Sequence, residues 1–444
     1  MRTACRKNSL YILCSLFITT GALAQTSFKF DLGPGKTQTG YTQVLPSTEY
    51  TDALGYGFYN STVTGVERGG KDALRDGYCS SDKPFFFSVK LPEGNYNVKV
   101  ILGDKDGTST TTIRAECRRL MVEKVETAKG TFKTVEFTVH VHDSIIRPEG
   151  IRVRLKPRER NYFHWDDKLT LEFANSSPKV CAIEITPNTT ATTVFLAGNS
   201  TVVDQAEEPW AAWGQMIPSF FQPGNVAIAN YAESGESLSS FIGERRFQKV
   251  LSLLKAGDYV FVEFAHNDQK QKGEGIGPWT SYTRDLKFFI SEVRKKGATP
   301  VLVTSMNRRT FDSTGKIYNT LGDYPDAMRK VAKEENTALI DLNAKSKILY
   351  EAWGPEQSVK AFVHYPAHTF PGQDKELKDD THFNPYGAYE IAKCIITGIR
   401  ENKLPLAAQL RPGIPPFDPA HPDPLSQWSW PPSVLRPPVK PDGN

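Results

Sequence analysis

Five short apolar runs between residues 193 and 342 constrain this chain more than any other feature. They are 193–197 (Thr-Val-Phe-Leu-Ala), 226–230 (Val-Ala-Ile-Ala-Asn), 258–264 (Asp-Tyr-Val-Phe-Val-Glu-Phe), 300–304 (Pro-Val-Leu-Val-Thr) and 338–342 (Ala-Leu-Ile-Asp-Leu). Helical patterns lie between them, near 208–221, 238–255, 280–296 and 324–336, and another runs from Pro385 to about 401. Near-continuous apolar strands that alternate with amphipathic helices need burial on both faces, which a parallel sheet between helices supplies. Such a sheet carries its sites in the loops after the carboxyl ends of its strands. The pattern therefore predicts an α/β half of five parallel strands, and it says where that half's chemistry must gather.

The preceding residues have a different rhythm. Ser88–Leu91, Tyr96–Leu102, Thr134–Val141, Ile151–Leu155 and Lys168–Phe173 alternate apolar and polar residues with a period of two, and Cys181–Thr186 ends the series. That is the pattern of antiparallel strands with one solvated face, and it predicts an all-β, jelly-roll-like sandwich. A polar stretch, 187–192, joins the two halves. The expected organisation is a leader at 1–24, a β-sandwich at 25–187, an α/β domain at 188–404 and a proline-rich extension at 405–444. The extension is expected to be extended, lying across the α/β domain.

The leader is read from Arg2, Arg6 and Lys7, the mostly apolar Leu10–Thr19, and an A-x-A-like site at Ala22-Leu23-Ala24, which together predict export. No later run approaches the length of a membrane span. Loss of the leader would bring the formal charge from +4 to +1, which leaves no basic footprint for nucleic acid. Cys79, Cys117, Cys181 and Cys394 follow the leader without C-x-x-C spacing, so neither a zinc site nor a disulfide scaffold is indicated. Buried thiols, or one bridge within the β half, are both compatible with that spacing.

Four polar clusters fall where the sheet predicts a site. Ser200 follows the first strand, Ser234-Gly235-Glu236-Ser237 the second and His266-Asn267-Asp268 the third, while Asp379-Asp380-Thr381-His382 precedes the last helix. Singly, each has an ordinary structural reading: Ser200 a turn residue, Gly235 a turn glycine, Asn267 and Asp268 an Asx turn, Asp379 a helix cap. Together they supply the parts of one reaction. A serine hydroxyl needs a base, and an imidazole serves near neutral pH. His382 is the candidate base, in a loop that runs into the last helix. A carboxylate must hold its other ring nitrogen, and Asp379 is placed to reach it, with Asp380 the second choice. The Gly235 N–H, the Asn267 amide and the Ser200 N–H are candidate donors to a developing oxyanion. Arg308 and Arg309 follow the fourth strand; such an arginine can be solvated, can pair with a helix, or can clamp a carboxylate through bidentate bonds. His266 is a further candidate for substrate contact. Trp210 and Trp213 are three apart, as core residues of a helix face would be; stacking on a sugar ring is the other use.

With these residues in view, the chain resembles the SGNH, or GDSL-type, hydrolases. It is most similar to their rhamnogalacturonan acetylesterase branch. The resemblance rests on Leu196–Val202, Pro209–Met216, Glu263–Asp268 and Asp379–Phe383. It implies a three-layer α/β/α sandwich. It also implies Ser200 as nucleophile, His382 as base, Asp379 as orienting acid and Gly235 with Asn267 in the oxyanion hole. The implied activity is removal of acetyl groups from a pectic polysaccharide or oligosaccharide, with no metal and no other cofactor. The family usually carries Asp where this chain has Asn199. The amide keeps the oxygen that can accept backbone N–H groups and loses the charge. The opening Phe28–Gly33 resembles galactose-binding-like β-sandwiches. Rival readings are an acetylxylan esterase, another GDSL-type esterase or lipase, and a sugar-binding protein whose hydrolase half has decayed.

Overall fold

The computed structural model describes residues 27–434 and 436–442; the expected leader, 1–24, lies outside the described residues. The β half is two facing sheets, one of seven strands and one of five. Strand Gly94–Asp104 shows why they form. Tyr96, Val98 and Val100 point inward and are buried, while Asn97 and Lys99 face outward. The inward rows of both sheets meet in one core that includes Phe30, Val98, Val100, Phe87 and Leu171. One expected strand is much shorter than its pattern. Only Ile151–Arg152 pairs, with Ile145–Ile146, and the chain then leaves the ladder. Val153 instead packs with Trp165 into a core of the α/β half, which tertiary burial favours over local alternation.

The α/β half holds the parallel sheet. Its strands are Thr192–Gly198, Val226–Asn230, Tyr259–Glu263, Thr299–Val303 and Ala338–Ile340. Counted along the chain they stand in the order 2-1-3-4-5, and all their pairings are parallel. Each strand feeds two cores. Val194 and Leu196 face the layer of Ile391 and Ile395, while Phe195 and Ala197 face the layer of Phe241, Phe289 and Val331. Successive side chains point to opposite faces, so a fully apolar strand buries both.

The helices depart from expectation in three places. The stretch at 208–221 yields only a turn of helix, Trp213–Met216, and a 3₁₀ turn, Ile217–Phe220. Pro209 and Pro218 lack the N–H groups a continuous helix would use. The stretch at 238–255 splits into Leu238–Gly243 and Arg246–Leu253, because Arg245 sits at φ 67°, in the left-handed region. An unexpected helix spans Leu342–Gln357, with its break at Gly354. Thr283–Lys295, Tyr324–Glu334 and Pro385–Glu401 lie within two or three residues of their expected bounds. Among the described residues no helix is long and apolar enough to cross a membrane. The four cysteines Cys79, Cys117, Cys181 and Cys394 are buried free thiols, so the bridge allowed by the spacing is not formed.

The two halves share buried charge. A tight turn of the β half carries Arg118, at φ 58°, and Arg119 into the α/β half. The Arg119 Nε donates to Asp204 Oδ2 at 2.8 Å, and Asn230 Nδ2 donates to Asp204 Oδ1 at 2.8 Å. Arg118 donates to the carbonyls of Gln205 and Trp210 and pairs with Glu208 at 2.7 Å. These arginines hold the loop that follows Ser200. Arg119→Ala would leave the Asp204 carboxylate buried without its cation. A loss of about 3–5 kcal/mol in urea-unfolding stability is expected; an unchanged midpoint would mean that the pair does not join the halves. The proline-rich extension also bridges them. Trp428 and Trp430 pack on the α/β core, and the Arg114 guanidinium stands 4.6 Å from the centre of the Trp430 ring.

Candidate active site

The strand order reverses around Thr192–Gly198, and a parallel sheet places its site at the carboxyl ends of the strands on either side of such a reversal. Ser200 stands there because strand Thr192–Gly198 ends in a tight turn. The N–H groups of Val202 and Val203 both donate to Asn199 O at 3.0 Å. The Asn199 side-chain oxygen accepts from Thr201 N at 3.1 Å and Thr201 Oγ1 at 2.8 Å, which is the backbone support expected of it. The turn has a buried acidic neighbour. Glu263 lies fully buried beside this turn, within reach of Thr201 Oγ1 at 2.9 Å, and accepts from Trp213 Nε1 at 2.6 Å. Burial pushes the Glu263 carboxyl up to about 7, against the hydrogen bonds that lower it. A carboxylate at position 199 would place a second buried charge next to this one.

Ser200 Oγ lies 2.7 Å from His382 Nε2, and His382 Nδ1 lies 2.8 Å from Asp379 Oδ2. His382 is in strand Leu377–Phe383 and not in the loop the sequence predicts. This strand pairs with Phe362–Tyr365, where Phe362 faces Phe383 but Val363 faces Asp379. The irregularity loops out 380–382. In a regular strand residues three apart point to opposite faces; here the bulge turns Asp379 and His382 toward each other. Asn384 then caps helix Pro385–Glu401, a role the sequence left open to Asp379. Burial alone would raise the Asp379 carboxyl. Hydrogen bonds from His382 and from the Thr381 and His382 N–H groups outweigh it and hold the group below the usual carboxylate range. Trp210 Nε1 adds a bond to Asp379 Oδ2 at 3.3 Å. Trp210 and Trp213 are both buried, which excludes sugar stacking at either. Asp380 points elsewhere, to Arg309 Nη1 and His364 Nε2, each at 2.9 Å.

The other loops close around this line. The Glu233 N–H donates to Gly198 O, which seats the loop of Gly235 beside the serine turn. Gly235 is at φ 83°, a conformation that favours glycine. Asn267 Nδ2 donates to Glu236 O at 2.9 Å, so the two oxyanion candidates lie on loops in direct contact. Asp268 accepts from Leu238 N at 2.8 Å and so serves the first turn of helix Leu238–Gly243. His266 is buried. Burial first, then the charges of Arg308 and His382, keep its imidazole well below its ordinary value. Arg308 donates to Thr320 Oγ1 and His266 O at the edge of this group. Arg309 is turned away, into Asp380 and Ser358 Oγ. Among the described residues Glu159, His164 and Glu233 bring metal-ligating atoms within 4.8 Å of one another. Arg246 pairs with Glu159 and Arg158 with Glu233, so cationic side chains already balance that group.

The residues that sequence reasoning missed lie in the β half: Arg118 and Arg119 behind the serine loop, and Lys156 and Arg158 behind the Gly235 loop. Trp210 stands out in the sequence, and its bond to Asp379 has no sequence signal.

Residues 196–389 match the GDSL-like Lipase/Acylhydrolase family. Residues 28–145 match the family described as Beta-agarase/YXIM esterase-like, galactose-binding domain-like. The chain is 45% identical over 219 residues to Rhamnogalacturonan acetylesterase RhgT of Bacillus subtilis, a match that covers 49% of this chain and 93% of that protein. It is 38% identical to the Rhamnogalacturonan acetylesterase of Emericella nidulans, over 49% of this chain and 89% of that one. It is 26% identical to the Uncharacterized esterase YxiM of Bacillus subtilis, over 85% of this chain and 91% of that one. With a galactose-binding-like β domain ahead of it, the α/β half places this chain in the GDSL-like lipase/acylhydrolase family.

Proposed function

We propose that the chain is an exported serine esterase that removes acetyl groups from a plant cell-wall polysaccharide, with rhamnogalacturonan as its substrate. The observation that carries this reading is the line from Ser200 Oγ through His382 to Asp379, at 2.7 and 2.8 Å. His382 Nε2 takes the Ser200 proton as Oγ attacks the acetyl carbonyl, while Asp379 holds the proton on Nδ1 and steadies the imidazolium. The Gly235 N–H and the Asn267 amide receive the developing oxyanion. His382 then gives its proton to the sugar oxygen as it leaves. Water, activated by the same imidazole, releases acetate from Ser200. The relatives named as rhamnogalacturonan acetylesterases support the substrate class. Export rests on the leader of Arg2, Arg6 and Lys7 followed by an apolar run.

A panel of acetylated rhamnogalacturonan, acetylated xylan and long-chain esters tests the substrate. Rhamnogalacturonan is expected to give the highest kcat/KM for acetate release, by about tenfold or more. A preference for xylan or for long acyl chains would replace this substrate and leave the mechanism standing.

A further inference from the structure

The nucleophile of this site is only 3% exposed and its histidine 1%, although the reading above requires it to meet a polymer. The proline-rich extension stands close by. Trp430 Nε1 donates to Glu208 Oε1 at 2.9 Å on the loop after Ser200. Pro437 lies against Gly372, on the hairpin that leads to Asp379: a Cβ added at Gly372 would sit 3.4 Å from the proline ring. Asp442 reaches the Gly235 loop, where a Cβ added at Gly235 would lie 3.0 Å from that of Asp442. The extension thus touches the loop after Ser200, the hairpin that leads to Asp379 and the Gly235 loop.

Among the described residues its final contact is a charge pair. Asp442 Oδ2 lies 2.5 Å from Arg158 Nη1. Arg158 and Lys156 belong to the β half, on a turn tied down by hydrogen bonds. Pro157 opens the 3₁₀ turn Pro157–Asn161, and Glu159 on the same turn accepts from Lys156 N and is bound by the buried Arg246 guanidinium. Both cations also fasten the Gly235 loop. Arg158 Nη2 bonds Glu233 Oε1 at 2.6 Å and Ser234 O at 2.9 Å, and Lys156 Nζ bonds Ser234 O and Glu236 Oε1. Nη2 of Arg158 is taken up by these bonds, the side chain keeps 25% of its exposure, and a carboxylate already stands on Nη1.

We propose that Arg158, backed by Lys156, forms a carboxylate subsite beside the oxyanion loop that takes a uronate carboxylate of the polysaccharide, and that Asp442 is its internal competitor. This rests on the pectic reading given above. A guanidinium edge suits a sugar carboxylate by charge and by geometry. The subsite lies on the β half, so that half contributes to specificity directly beside the Gly235 loop. The Asp442 carboxylate is 61% exposed, so its tether can yield to a substrate that brings the same group.

The test uses the full chain and non-acetylated oligogalacturonide as an inhibitor of p-nitrophenyl acetate hydrolysis, with the fully methyl-esterified oligomer as the neutral counterpart. Asp442→Asn is expected to lower the inhibition constant of the acidic oligomer roughly fivefold and to leave that of the methyl ester unchanged. Adding Arg158→Gln to Asp442→Asn should abolish the gain. Equal inhibition constants for wild type and Asp442→Asn, an equal response of the methyl ester, or a gain that survives Arg158→Gln would each overturn the proposal. Acetate release from acetylated rhamnogalacturonan is measured on the same proteins. If it is absent while the fivefold shift is present, the substrate reading fails and the carboxylate subsite stands.

Discussion

Ser200→Ala is expected to lower the rate of acetate release by about 10⁵–10⁶ and to leave the protein folded. The expected size follows from the proposed mechanism, in which Ser200 is the nucleophile of a unit whose members act together; a serine hydrolase that uses such a unit loses about that much. Nothing in the surroundings makes the side chain structural. Its hydroxyl faces His382 Nε2, while the turn is held by the Ser200 carbonyl, which accepts from Gln205 Nε2 at 2.7 Å, and by Asn199. The stability loss should therefore stay near the 0.5–1.5 kcal/mol of one hydrogen bond. Acetate release and thermal melting are measured on the same preparation. A variant that melts normally and keeps more than about 1% of the rate would show that another group makes the attack.

Asp379→Asn is expected to cost about 10⁴ in kcat, although it changes the shape of the site very little. The amide can keep its oxygen on the N–H groups of Thr381 and His382, which both reach Asp379 Oδ1 at 3.0 Å. Its NH₂ would then face His382 Nδ1. A donor there forces the imidazole into the tautomer with its proton on Nε2, and that nitrogen can no longer accept the Ser200 proton. Asp380→Asn is the paired control. Asp380 is 49% exposed and bonds Arg309 and His364, so its loss should change kcat by less than about threefold. If the two variants were equally impaired, the assignment of the orienting carboxylate would fall.

The degree to which the sequence foretold this molecule depends on the range of the interaction. The five parallel strands are legible because each is a short run of apolar residues buried on both faces. The polar clusters could be found because a parallel sheet brings strand ends together, whatever their separation in the chain. The helix at Leu342–Gln357 is not legible in the sequence although Leu342, Ser346, Leu349 and Tyr350 share its buried face. A serine in that row and the Gly354-Pro355 pair dilute the apolar pattern. The position of His382 was legible and its strand was not, because a bulge is set by what the neighbouring strand pairs with.

By itself the sequence determined the two architectures, their order and the set of residue types that meet at one sheet edge. Those depend on local periodicity and on the short turns that end each strand. Tertiary structure alone decided that the β half is part of the site's framework. Arg119 meets Asp204 across 85 positions, and Arg158 meets Glu233 across 75. A charged residue in a strand or turn has the same local signature whether water or a buried carboxylate awaits it. The partner is chosen only when the two halves pack, because only then does removal from water make an unpaired charge too costly to keep.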